Sequence, residues 1–264
     1  MGNQEIYTFN SSDGHSIIHC VKWLPDGEPV AVVQLVHGMV EYIDRYDEFA
    51  TYLSSNGYLV VGNDHLGHGN SINKEDDLGY FGKNPSDILI SDMHRLRSKT
   101  QKKGIPYFML GHSMGSYLLR KYLSIHGKGL SGAIIMGTGY ISNITTNTAK
   151  LVAHLEILFK GDRHRSKLLQ KLSYDKYYKK YSLDGSNIKN SWLTKDTKIV
   201  KKYYNDPKCT FIFTDNAYLG LFEVVSYSCK NKNINKIPKK LPILFVSGED
   251  DPVGAMGKGV KKAY

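Results

Sequence analysis

Cysteine is scarce in this chain: Cys20, Cys209 and Cys229 are the only three in 264 residues. They form no C-x-x-C pair and no bridge framework, which excludes a small disulfide-built secreted scaffold and favours a reduced, cytoplasmic protein. Long apolar runs are also missing. No stretch approaches about 18 uninterrupted apolar residues, so no transmembrane helix is expected. The opening Met-Gly-Asn-Gln-Glu-Ile-Tyr has no basic segment followed by an apolar one, so it does not read as a secretory leader. Ile6 stands where a myristoylation signal wants Ser or Thr. There is no internal repeat and no low-complexity tract.

Acidic residues are in deficit. Asp and Glu number 25 against 35 Lys and Arg, a net charge of +10. The imbalance is concentrated between Tyr140 and Lys240, which hold 20 Lys and Arg but only 8 Asp and Glu. Such a segment is either a solvated Lys-rich surface or one suited to transient contact with an anionic membrane or an acidic substrate. No nucleic-acid-binding motif accompanies it, so no nucleic acid is expected.

What the sequence does contain is centred on Tyr107 to Arg120. The apolar run Tyr107–Leu110 reads as a buried strand, and Gly111-His112-Ser113-Met114-Gly115 is a G-x-S-x-G match. Tyr117, Leu118, Leu119, Tyr122 and Leu123 then recur at helical spacing. Strand, tight turn and helix in that order form the context of a nucleophile elbow, with Ser113 lifted off the strand end. Gly111 and Gly115 leave room where a Cβ would collide. The Met114 N–H falls at a helix N-terminus, where a developing oxyanion is stabilised.

Around this motif, elements alternate. Residues 5–24 read as an antiparallel hairpin turning at Ser12-Asp13-Gly14. Val30–Val36, Tyr58–Val61, Ser131–Met136 and Leu241–Val246 read as buried strands. Helices are expected over Tyr46–Leu53, Ile88–Lys102, and from Gly254 onward. The pattern predicts an α/β protein with a mostly parallel sheet covered on both faces, its site at the carboxyl ends of the strands. From Tyr140 the alternation breaks. Four helical stretches, Leu151–Phe159, Ser166–Leu172, Asp196–Tyr204 and Ala217–Tyr227, suggest an inserted helical cap. The expected division is a core over 1–139, a cap over 140–236 and the rest of the core over 237–264. Trp192, Phe211, Phe213, Leu219, Leu221 and Phe222 either line a channel or form the cap's own core.

Four motifs occur in order: His37-Gly38-Met39, Asp64-His65-Leu66-Gly67-His68-Gly69, the elbow, and Gly248-Glu249-Asp250-Asp251-Pro252-Val253. In these the chain resembles the α/β-hydrolase superfamily. The resemblance is nearer to the bacterial monoacylglycerol lipase and lysophospholipase group, which is serine-aminopeptidase-like. It implies the α/β-hydrolase fold and a serine carboxylester hydrolase acting through an acyl-enzyme on a small lipid ester. It also implies catalytic Ser113 and Asp251, oxyanion donors at Met39 and Met114, and neither cofactor nor metal. Asp250 is the alternative acid. An aminopeptidase of small peptides and a non-catalytic lipid binder are the rival functions.

The family order is Ser, Asp, then His. Here no histidine follows Asp251, the last being His164. The resemblance therefore implies that a final strand and helix with the base-bearing loop, roughly 25–40 residues, lie outside this chain. An upstream base among His37, His65, His68 and His112 is the alternative. These four are expected to brace loops instead, His112 pointing away from Ser113, and Asp64 and Asp206 to be structural.

Overall fold

The hairpin forms as expected. In the computed structural model, which describes residues 3–174 and 176–264, β1 (Asn3–Asn10) pairs antiparallel with β2 (Ile17–Leu24), from Asn3↔Leu24 to Asn10↔Ile17. Asp13 closes the turn, its carboxylate accepting from the N–H groups of His15 and Ser16. The chain then alternates through β3 (Ala31–Val36), α1 (Asp47–Ser55), β4 (Tyr58–Asn63), α2 (Pro85–Thr100), β5 (Tyr107–His112), α3 (Met114–His126) and β6 (Gly132–Met136). Helix α2 starts three residues before the first apolar position, because Pro85 at its first turn presets φ and needs no hydrogen-bond acceptor.

Between β6 and β7 (Ile243–Val246) the chain makes α4 (Asn143–Lys160), α5 (Lys167–Ser173), α6 (Thr197–Tyr204), α7 (Asp215–Ser228) and α8 (Asn231–Ile234), and no strand among the described residues. Four of these helices open on a capping side chain that accepts a backbone N–H: Ser142, Ser166, Asp196 and Thr214. Helix α4 begins eight residues earlier than its apolar periodicity indicates. Its first two turns are rich in Thr and Asn, so the cap at Ser142 and not a hydrophobic stripe marks its start. Helix α9 (Lys258–Ala263) also departs from expectation, starting four residues after Gly254 beyond a run of turns in which Ala255 and Met256 take positive φ.

The seven strands form one sheet in the order β1-β2-β4-β3-β5-β6-β7. β2 pairs antiparallel with β4, and β4, β3, β5, β6 and β7 run parallel. β3 sits centrally and all six of its residues are buried. Period-two alternation sends Val32 and Val36 to a core shared with α2, α3 and α7, while Val33 and Leu35 pack with Trp23, Ile43 and Ala50 on the opposite face. Gln34, the polar interruption of this strand, is satisfied: its Nε2 donates to Met93 O and its Oε1 accepts from Tyr107 OH. β7 corrects the expectation of a buried strand. It has four residues at the sheet's edge, and Leu244 and Val246 are 57% and 39% exposed.

Candidate active site

Steric necessity builds the centre of the site. Ser113 lies between the end of β5 and the start of α3 with φ +52° and ψ −120°, a conformation that costs a non-glycine residue about 1–3 kcal/mol. Its N–H donates to Met136 O on β6, and its carbonyl accepts from the Ser116 N–H, both at 2.9 Å. A Cβ on Gly111 would stand 2.4 Å from Gly115 O. One on Gly115 would stand 2.0 Å from Val36 O and 2.5 Å from His37 O. The two motif glycines therefore let β5, α3 and the end of β3 close on one another. A Cβ on Gly38 would lie 3.1 Å from Ser113 Cβ, so the His37-Gly38-Met39 loop is held against the serine.

That contact sets the two candidate oxyanion donors. Met114 is the first residue of α3, so its N–H is among those for which helix geometry provides no acceptor. The Met39 N–H, in the turn after β3, meets no acceptor among the described residues. Both methionines line the cavity that reaches Ser113.

Glu41 was not singled out from the sequence, and it organises the loop. This buried carboxylate accepts from the Gly38 N–H, from Tyr46 OH at 2.9 Å, from Arg45 at 2.6 Å, and pairs with His112 Nδ1 at 3.1 Å. The Glu41/Arg45 spacing of four was a legible signal, but the contact with His112 spans 71 residues and was not. Burial opposes ionisation of Glu41, and the His112 hydrogen bond and charge outweigh it, lowering its pKa to about 2. Burial likewise opposes charging of His112, and the Glu41 hydrogen bond and charge outweigh it, raising its pKa. His112 is thus engaged through Nδ1 by Glu41 and by Tyr46 OH at 3.0 Å, with one ring edge facing the cavity near Gly137.

The other three histidines are loop braces. His37 Nδ1 donates to Gly38 O, its Nε2 accepts from the His65 N–H at 2.8 Å, and His65 Nε2 lies 3.2 Å from His37 O. Burial keeps them neutral, pushing His37 well below its ordinary value, His65 down to about 4 and His68 down to about 3. Asp64 accepts from the N–H groups of Ile43 and Asn70. Asp206 accepts from Tyr42 OH and the Lys208 N–H. Both carboxylates tie loops together and bind no group of the elbow.

The two adjacent acids after β7 separate cleanly. Asp250 is 58% exposed and pairs with Lys195 at 3.2 Å and Lys180 at 4.0 Å. Asp251 is turned inward: its Oδ1 accepts from the Val253 N–H at 2.9 Å, and its Oδ2 would lie 3.5 Å from a Cβ on Gly137. Burial raises the Asp251 pKa against the Val253 hydrogen bond and the nearby His112 charge.

Two cavities meet at Ser113 and Met39. The larger, about 880 Å³, runs under α4, α6 and α7 and is lined by Trp192, Phe211, Phe213, Leu221 and Phe222 among others. Of the six cap side chains considered from sequence, only Leu219 is elsewhere, buried in the core. The smaller, about 650 Å³, is polar: Arg45, Lys180, Lys189 and Lys195 face Glu41, Glu249, Asp250 and Asp251. No helix among the described residues is long and apolar enough to cross a membrane.

The sequence model of the family described as serine aminopeptidase, S33, matches residues 27–264. A monoglyceride lipase homolog of monkeypox virus is 41% identical over 99 residues, 38% of this chain and 35% of that protein. The monoglyceride lipase of Rattus norvegicus is 29% identical over 153 residues, 57% of this chain and 48% of that protein. The matched stretch thus spans half or less of these curated relatives. A thermostable carboxyl esterase from Bacillus coagulans, solved in complex with glycerol, superposes over 100% of this chain and 85% of its own with a TM-score of 0.87 at 28% identity. A yeast monoglyceride lipase shares the fold at a TM-score of 0.73 and 22% identity, over 99% of this chain and 81% of its own. The chain has the α/β-hydrolase fold.

Proposed function

We propose a function from one premise: the chain belongs to the serine aminopeptidase S33 family. It is a serine carboxylester hydrolase that cleaves a small lipid monoester through an acyl-enzyme. The observation that carries this reading is the meeting of an apolar and a polar cavity at one strained serine. An acyl chain occupies the aromatic cavity, the alcohol occupies the polar one, and the ester carbon rests at Ser113 Oγ. Residues 140–236 act as a roof inserted in a core made by 1–139 and 237–264.

In the proposed reaction Ser113 Oγ attacks the ester carbon while a base takes its proton. The Met39 and Met114 N–H groups receive the oxyanion, an interaction whose loss costs about 3–4 kcal/mol per donor. Collapse breaks the ester C–O bond, the protonated base returns its proton to the departing alcohol, and water repeats the sequence on the acyl-enzyme. Asp251 orients the base and stabilises its charged form. His112 does not suit the part of base, its Nδ1 being engaged by Glu41 and Tyr46 OH and its other ring edge lying against Gly137. Nor do His37, His65 and His68, which are buried and whose lowered pKa values make them poor proton acceptors. The proposal therefore assigns the base to a histidine outside residues 1–264.

In the polar cavity four cations face four carboxylates, which favours a neutral alcohol such as glycerol. That the similar Bacillus coagulans esterase was solved with glycerol supports the same choice. Lys189 favours a second substrate, a lysophospholipid, because it has no carboxylate partner among the described residues and faces the same space. The aminopeptidase alternative is weaker. It needs an acid placed for the substrate amine, and the buried one beside the elbow, Glu41, is already engaged by Arg45 and His112, while Lys180, Lys189 and Lys195 line the same cavity and disfavour a cationic substrate. The roof also suits an anionic membrane surface: Leu158 and Phe159 are 74% and 79% exposed at the end of α4, beside Lys160.

The test uses the full-length protein, treated with a fluorophosphonate and then assayed for fatty-acid release from 2-monooleoylglycerol and from lysophosphatidylcholine. Label on Ser113 with faster turnover of monooleoylglycerol is expected. Label elsewhere, or unlabelled protein that binds monooleoylglycerol without cleaving it, would leave a lipid binder in place of the hydrolase.

A further inference from the structure

Outside the lining of both cavities that reach Ser113, three ligand-type side chains converge. Glu156 lies in the last turns of α4, His164 in the loop that follows, and Asp215 is the first residue of α7. One ligand atom from each can be chosen so that all three lie within 4.8 Å of one another. Their sequence spacing of 8 and 51 residues matches no metal motif, so they do not stand out in the sequence.

We propose that Glu156, His164 and Asp215 bind one transition-metal dication of the zinc class, which fastens α4 to α7. His164 Nδ1 lies 3.0 Å from Asp215 Oδ2. Two ligands about 2.0–2.1 Å from a tetrahedral zinc stand roughly 3.3 Å apart, so this pair is already close to the required spacing. Glu156 needs a shift of about 1.5 Å at most to join them, within the reach of a side-chain rotamer. One imidazole with two carboxylates is a donor set for zinc and its neighbours, not for calcium or magnesium, which take oxygen alone.

The independent observation is an unfilled demand at the same place. Asp215 is fully buried, yet its Oδ1 has no hydrogen-bond partner among the described residues. Glu156 Oε2 is also buried without a partner, its Oε1 being taken by Lys160 Nζ at 2.6 Å. A buried carboxylate oxygen left unpaired is costly. The hydrogen bond between His164 and Asp215 Oδ2 leaves Asp215 Oδ1 and Glu156 Oε2 unanswered, whereas a dication held by both oxygens of Asp215, by Glu156 Oε2 and by His164 answers them together. The backbone already holds the ligands in place, since the Asp215 N–H donates to His164 O at 2.8 Å and the Asn216 N–H to Asp162 O at 3.1 Å. Helices α4 and α7 both wall the larger cavity, through Ala149 and Phe222 for example, so an ion here braces the roof without touching the elbow.

The experiment is zinc retention by the full-length protein after dialysis against EDTA, addition of zinc sulfate and gel filtration, with the unfolding midpoint recorded in parallel. One zinc per chain and a raised midpoint are expected, with no shift from magnesium or calcium. His164→Ala should lose the retained zinc and the zinc-dependent rise together. Glu156→Gln, which keeps the side-chain shape, should weaken zinc at least about tenfold, as loss of a ligand does, and it serves as the readout if His164→Ala does not fold. Absence of retained zinc in the parent protein, or equal retention by Glu156→Gln, overturns the proposal. Labelling of Ser113 by a fluorophosphonate is independent of all these outcomes.

Discussion

At Gly115 an added methyl carbon would stand 2.0 Å from a backbone oxygen; at Gly161, just after α4, it would meet nothing within 4 Å. The two positions represent two kinds of construction. The floor of the site, formed by the ends of β3, β5 and β6, is set by backbone packed against backbone, and it holds Ser113 in a strained conformation that only dense surroundings maintain. The roof, residues 140–236, is set by capped helices and aromatic side chains around a cavity. The floor therefore tolerates almost no change at the elbow, whereas roof side chains such as Leu221 and Phe222 face open cavity. On the proposed function, catalytic geometry belongs to the floor and substrate choice to the roof.

The contrast can be tested by substitutions of decreasing effect. Ser113→Ala should reduce turnover by about 10⁶, as for loss of a nucleophile in a serine hydrolase, measured as fatty-acid release. Asp251→Asn should reduce it by about 10⁴ through misorientation of the base, whereas Asp250→Asn should leave it within about threefold, since exposed ion pairs contribute little. Similar losses for both acids would break the assignment of Asp251.

Glu41→Gln tests the floor's stability. Leaving His112 and Arg45 without their buried partner should cost about 3–5 kcal/mol in chemical denaturation. The sign of its pH dependence follows from the shifts. Glu41 titrates ordinarily near 4.5 and in the fold near 2, so its contribution is present above 4.5 and is lost as pH falls through 2. His112 is raised from 6.5, so its contribution is complete below 6.5 and is lost as pH rises through the raised value. Glu41→Gln should flatten the acid limb of the stability profile between about 4.5 and 2.

In the roof, Leu221→Phe should shift preference toward shorter acyl chains by about tenfold, the scale of a methylene misfit in an apolar pocket, with little change in stability. A large stability loss would mean that the roof is built like the floor. The smallest effect is at the surface. Lys160→Glu should weaken binding to phosphatidylserine vesicles in flotation by about 1–2 kcal/mol, at about 1 kcal/mol per charge, and leave hydrolysis of a soluble short-chain ester unchanged.

Legibility from sequence follows the same division. The hairpin, the central strands and the helices of the core were readable because their signals are local: period-two runs, helical stripes and turn residues. Helix α4 reads short because a Thr- and Asn-rich start carries no stripe, and β7 reads as buried because an apolar run does not say whether a strand has a neighbour on its outer side. At the site, Ser113, Met114 and Gly111 follow from one turn. Glu41 did not stand out, since its importance comes from His112, which is brought to it only by the pairing of β3 with β5.

By itself the sequence determined the elbow and the alternation that places strand ends on one face, because contiguous residues and the sterics of single turns suffice for both. Only the tertiary structure decided which acid after β7 turns inward, that His112 pairs with Glu41, which roof aromatics face the cavity, and that Glu156, His164 and Asp215 converge. Each of these depends on distances between segments far apart in the chain, and residue spacing carries no information about such distances until the sheet has assembled.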